Sequence, residues 1–212
     1  MVTTAKFKNV ITTEDELREL HGWPSDRARE KTITALDRHC RAIIAASPIA
    51  FLATTNADGS ADVAPKGDPA GFVKVLDDNT IVIPDRPGNR RFDGLKNILS
   101  NPGIGLVFLV PGMRETLRVN GTAELVRDPE LLETLKVKGK LPWLAIIVHV
   151  DEAFMHCPKA FLRSKLWEPE TWPARDSLPS MATVLNDHAF AGKANVEEME
   201  AQMLQTNKDD LY

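Results

Sequence analysis

Cysteine is scarce in this chain: Cys40 and Cys157 are the only two in 212 residues, and neither sits at a metal-type spacing. That excludes a disulfide-dense scaffold and a thiolate zinc site, and leaves reduced thiols in a cytoplasm as the simplest reading. An excess of positive charge is also missing. The 26 Lys and Arg stand against 30 Asp and Glu, giving a net charge of -4 and a pI near 5.8, so no basic surface for nucleic acid stands out. No apolar run is long enough to span a bilayer; the longest, Gly103 to Val110, is of strand length. The first twenty residues contain no apolar signal region, so the expected location is cytoplasmic. There is no internal repeat and no low-complexity tract. What is there, 43% apolar and 26% charged residues, suits one globular domain with a sizeable core.

Residues 13–46 read as helical. Thr13 followed by Glu16 fits a capping box, Ser25-Asp26 restarts a helix after Pro24, and Ile33, Leu36, Cys40, Ile43 and Ile44 keep helical spacing up to Pro48. The period then changes to two. IAFLATT, the turn Asn56-Ala57-Asp58-Gly59 and SADVAPKG make one hairpin; GFVKVL, the turn Asp77-Asp78-Asn79 and TIVIP make a second. A short helix over residues 91–100 is stopped by Asn101-Pro102. GIGLVFLV, ETLRVNGTAELV and LAIIVHVDEAFMHC are three more strands, with a two-turn helix begun at Asp128-Pro129. From Ser164 the chain is rich in Pro and Trp, then helical from Met181 to about Asn207. The expectation is a single domain: N-terminal helices over 1–46, a barrel or sandwich core of about six antiparallel strands over 47–163, and a tail with helices over 164–212.

The segment IVIPDRPGNRRFD, Ile81 to Asp93, carries the most chemistry. A β-branched run ends at Pro84, a turn with Gly88 and Asn89 follows, and Arg90 and Arg91 stand where a helix should begin. Strand, glycine turn and helix N-terminus supply backbone N–H groups, and the two arginines add forked cationic donors, a suitable arrangement for phosphate. The competing reading is a solvated loop whose arginines pair with Asp85 and Asp93.

Taken in order, Ala64-Pro65-Lys66-Gly67-Asp68, Ile83 through Arg91, Phe108 to Gly112, Thr116 to Gly121, and Cys157 to Ala160 followed by Arg163 to Trp167 resemble the pyridoxamine 5'-phosphate oxidase-like flavoproteins. The likeness covers roughly Ser47 to Trp167 and is greatest to a bacterial subgroup taken to depend on FMN. The resemblance implies a mainly β fold with flanking helices, a Greek-key FMN-binding split β-barrel. It also implies a homodimer with FMN held between subunits, and an FMN-dependent oxidoreductase acting on an unknown small molecule. By the same resemblance Arg90 and Arg91 grip the phosphate, and Asn89 adds a neutral hydrogen bond. Pro84 and Asp85 run beside the cofactor, and Pro65, Lys66 and Gly67 lie near the flavin ring. Thr116 and Arg118 approach the ring from one strand face, and Arg163, Ser164 and Trp167 reach in from the second subunit.

The chain lacks the Arg-x-His pair that holds substrate in true pyridoxamine-phosphate oxidases, and has Ala61 where such an oxidase has an arginine, so that substrate is not implied. His156-Cys157 has no partner cluster for a metal. The remaining readings are a flavin binder without turnover, serving as store, sensor or electron carrier; a split barrel holding deazaflavin or haem, with His149 or His156 as axial ligand; and an empty dimeric scaffold.

Overall fold

The structure, a computed structural model, describes residues 7–209 and 211–212. The chain divides into two compact units, one ending at Thr32 and one running Ile33–Tyr212. The first holds α1 (Glu14–His21) and α2 (Asp26–Glu30). Their caps are those read from the sequence: the Thr13 hydroxyl accepts from Glu16 N while the Glu16 carboxylate takes the Thr13 N–H, and Ser25 caps α2 through Ala28 N.

The second unit opens with a departure from the expected helix. Residues 31–37 are not helical, and α3 covers only Arg38–Ala46. Asp37 is the cause. Its carboxylate accepts from His39 N and Cys40 N at 2.9 and 2.8 Å, and these bonds hold its carboxyl below the usual carboxylate range, so the helix starts there. Upstream, Ile33 bridges to Ala153 and Leu36 N donates to Asp78 O, which pins the segment in extended form. Ile33 and Leu36 still pack on the core, so apolar spacing alone misassigned the backbone.

Seven strands follow: β1 (Ile49–Thr55), β2 (Ala61–Gly67), β3 (Lys74–Val75), β4 (Thr80–Asp85), β5 (Gly103–Leu109), β6 (Thr116–Val126) and β7 (Leu144–His156). The shortest is β3, where only Lys74 and Val75 of the expected strand GFVKVL pair. All pairings are antiparallel, in the order β2-β1-β5-β6-β7-β4-β3. The β1–β2 and β3–β4 hairpins lie at opposite edges, and the β5–β6–β7 meander fills the space between them. β6 and β7 are long because they serve both halves, and a bulge at Asn120/Gly121 bends them. Gly121 has no substitute there: a Cβ would sit 1.9 Å from His149 O.

Alternate residues of the strands build the core: Ala50 and Leu52, Leu106 and Phe108, Leu117 and Val119, Ile146 and Val148, Ile81 and Ile83. Burying a side chain of this class stabilises by roughly 1.5–3 kcal/mol. β4 is buried on both faces, because α5 (Pro129–Thr134) covers the other side through Leu132 and Leu135 against Val82 and Ile147. The later elements are α4 (Asp93–Ser100), α6 (Lys159–Ser164), α7 (Met181–Phe190) and α8 (Val196–Asp209). The helical tail is thus two helices, divided where Ala191 adopts a left-handed conformation and Gly192 N bonds back to Asn186 O. Among the described residues no helix is long and apolar enough to cross a membrane.

The sheet does not close by backbone pairing. Four strands separate β2 from β4 in sheet order, yet Lys66 Nζ on β2 lies 2.7 Å from Asp85 Oδ1 on β4. One step further out, Arg86 Nε donates to Asp68 Oδ2 at 2.7 Å. The sheet therefore curls until its edges meet, and side-chain ion pairs bridge the split.

Candidate functional site

A cleft of about 380 Å³ opens beside this seam. Inward-facing residues of β2 (Asp62, Ala64 and Lys66) form one wall, the turn after β4 forms the other, and the start of α4 forms the floor. Four cationic side chains line it: Lys66, Arg86, Arg90 and Arg91. Three are engaged by carboxylates. Lys66 is held by Asp85 and Arg86 by Asp68, while Arg91 Nε donates to Asp93 Oδ2 at 2.7 Å. Among the described residues Arg90 has no carboxylate partner; its guanidinium lies 5.8 Å from the ring centroid of Trp143.

The backbone of the turn is shaped for this display. Arg90 and Phe92 both have left-handed φ, at 60° and 59°. Asn89 Oδ1 accepts from Arg91 N at 3.0 Å, so its amide oxygen is committed to the turn. Phe92 caps α4 without any side-chain hydrogen bond, so no cap occupies the first N–H groups of that helix. Asp93 stands at its first position, with its carboxyl held below the ordinary range by the Arg91 hydrogen bond and then by Lys96. Asp62 approaches the same end: a Cβ on Gly94 would lie 3.5 Å from Asp62 Oδ2.

The site residues expected from the sequence divide into three groups. Pro65, Lys66, Asp85, Asn89, Arg90 and Arg91 line the cleft. Gly67 and Pro84 stand next to it without lining it: Pro84 is buried in the β4–β7 ladder opposite Ala145, and Gly67 allows close approach to Pro48 O. Thr116, Arg118, Arg163, Ser164 and Trp167 lie elsewhere on the chain. Register puts Arg118 in one row with Val107, Phe51 and Pro65, the sheet face opposite the core-facing Leu52 and Leu106. Its guanidinium lies 5.1 Å from the ring centroid of Phe154. Trp167 stacks on Phe161 and donates its indole N–H to Met113 O at 2.8 Å. Arg163 and Ser164 are exposed on α6. His149 is exposed and bonded to Glu124, and neither it nor His156 lines the cleft.

Three cleft residues escaped the sequence reading. Trp143 is an aromatic wall of the cleft, packing edge-on against Phe92 with centroids 6.5 Å apart. It lies in an aperiodic stretch before β7, where no repeat signals burial. Arg86 and Asp62 were the others, and only the fold brings them to the cleft.

An open antiparallel sheet curled onto itself, with a cationic cleft at its split, is a split barrel. A model of the pyridoxamine 5'-phosphate oxidase family matches residues 36–157, more than half of the chain, and the chain belongs to that family. Among solved structures it is similar to HupZ from Group A Streptococcus, at 24% identity over 56% of this chain and 92% of that one, with a TM-score of 0.46. It is also similar to general stress protein 26 from Bacillus anthracis, at 16% identity over 54% and 88%, TM-score 0.43. A third is the FAD binding protein from Mycobacterium smegmatis, at 16% identity over 58% and 97%, TM-score 0.42. No curated protein matches the chain.

Proposed function

We propose that the protein is an FMN-dependent oxidoreductase working as a homodimer on a small molecule. The observation that carries this reading is the turn Gly88–Arg91 with the uncapped start of α4. Among the described residues Arg90 has no carboxylate partner, neither Nη group of Arg91 makes a hydrogen bond, and no side chain caps the helix start. A phosphomonoester dianion suits that donor set, and arginine meets it with two parallel N–H donors where lysine offers a point charge. The cleft leading away from the turn, with Trp143 on one side and Leu52 beneath, suits a flat ring with polar edges.

A bound flavin supplies two-electron or hydride transfer. The chain's residues do the rest. Arg90 and Arg91 hold the phosphate, and Asn89 keeps the turn in shape. Trp143 covers one ring face from water. Lys66 places a cation at the ring's polar edge, with Asp85 holding its ammonium in position and offsetting part of its charge.

The outer sheet face supports the dimer. Phe51 and Val63 are exposed there, beside the half-buried Ile49, Val107 and Leu109, and a contiguous apolar face of this kind suits a second copy. Arg118 belongs to that same face, and Thr116 starts the same strand near Trp167, whose indole bonds to Met113 O. A second copy on this face brings those residues toward its neighbour's cleft.

The test is an absorbance spectrum of the purified protein followed by titration with FMN, with sedimentation at micromolar concentration. Flavin bands or stoichiometric uptake in a dimer are the expected result. A colourless protein that takes up no FMN overturns the assignment, and a monomer that binds FMN overturns the shared site.

A further inference from the structure

We infer that Asp93 is a positioning residue: it holds the Arg91 guanidinium by Nε so that both Nη groups face the cofactor phosphate. The inference rests on the phosphate site proposed above and adds a residue to it. An exposed arginine has many rotamers, and freezing one on binding costs affinity unless the free protein has already chosen it. Here the choice is made by a single hydrogen bond of 2.7 Å from Nε to Asp93 Oδ2, and among the described residues the Nη donors make no hydrogen bond. The other carboxylate oxygen is 3.2 Å from Lys96 Nζ, so Asp93 is itself anchored from one turn along α4. Its place at the first position of the helix fixes it further, because a carboxylate is favoured there by the helix dipole. Arg91 and Asp93 thus form a bracket at the mouth of the cleft, with Asp62 as the other carboxylate close to the helix end.

The opposite role is physically coherent, since a carboxylate beside a phosphate site competes for the same arginine and repels the dianion. The two roles differ in sign. Binding of FMN and of riboflavin, which lacks the phosphate, is measured for the wild type, Asp93→Ala and Asp93→Asn. Positioning predicts that Asp93→Ala weakens FMN by about three- to tenfold, the scale of ordering one long side chain, and leaves riboflavin unchanged. Asp93→Asn, whose amide oxygen still accepts from Nε, restores most of the loss.

Tighter FMN binding in Asp93→Ala, or no change, overturns the inference. So does an equal loss for both flavins, which marks a folding defect, or an Asn variant as weak as the Ala variant. Equal wild-type affinity for FMN and riboflavin overturns the phosphate site itself, and failure of the wild type to bind either overturns the flavin reading as a whole.

Discussion

Two arginine–aspartate pairs stand at the two ends of the turn between β4 and α4, with the same N···O distance of 2.7 Å. Their surroundings differ. The side chains of Arg86 and Asp68 are 13% and 1% exposed, while those of Arg91 and Asp93 are 73% and 35% exposed. The first pair is embedded in a network: Arg86 also donates to Leu135 O, and the second Asp68 oxygen accepts from the Tyr212 hydroxyl at 2.8 Å. Around the second pair water competes for every contact. Identical chemistry therefore locks the edges of the sheet at one end of the turn and forms a loose, solvent-screened pair at the other.

The sharpest way to break this comparison is to cut each pair. Asp68→Ala leaves Arg86 buried without its carboxylate, and such losses cost about 3–5 kcal/mol, read as a lower urea midpoint with unchanged slope. The double change Arg90→Ala and Arg91→Ala should shift that midpoint little. It should instead weaken FMN by roughly 1.5–3 kcal/mol per lost charged contact, seen by fluorescence titration. If the double variant is the less stable protein, the assignment of roles is reversed.

A smaller effect separates the two tryptophans. Trp143→Ala should weaken flavin binding by about 1–3 kcal/mol, the scale of aromatic stacking on a heterocycle, and reduce quenching of flavin fluorescence. Trp167→Ala should do so only to the extent that the second subunit reaches the ring. Unchanged affinity in Trp143→Ala would remove that residue from the cofactor wall.

The smallest effect is on proton binding, and the chain's single tyrosine reports it cleanly. The hydrogen bond to Asp68 pushes the Tyr212 phenol above its usual 10, with burial adding to the shift. A raised folded value means the stabilisation is whole below pH 10 and is lost as pH rises through the folded-state value. Phenolate absorbance of the flavin-free protein should therefore titrate later when folded than in urea. Coincident curves would detach Tyr212 from the buried pair.

Much of this was legible in the sequence because strands and turns write locally. Alternation marked β1, β2, β6 and β7, a continuous apolar run marked β5, Asn56 to Gly59 and Asn101-Pro102 punctuated them, and Thr13 and Ser25 announced helix starts. The start of α3 was misread because Asp37 was passed over as a cap while the apolar spacing ran on through it. The seam could not be read at all. Lys66 meets Asp85 from 19 residues away, and Tyr212 meets Asp68 from 144, across edges that only the curled sheet brings together. The same limit explains why Trp143, outside any recognisable motif, was passed over as part of the cleft.

A ladder of backbone bonds fixes the spacing of two strands at one value, whatever side chains they carry. Where β2 faces β4 there is no such ladder, and the gap is set by how far a lysine and an aspartate reach toward each other. The width of the chamber is thus written in side-chain length. Exchanging Asp for Glu or Lys for Arg resets it by about one bond while every strand keeps its register, so the seam beside the cleft can be widened at this pair without disturbing the ladders.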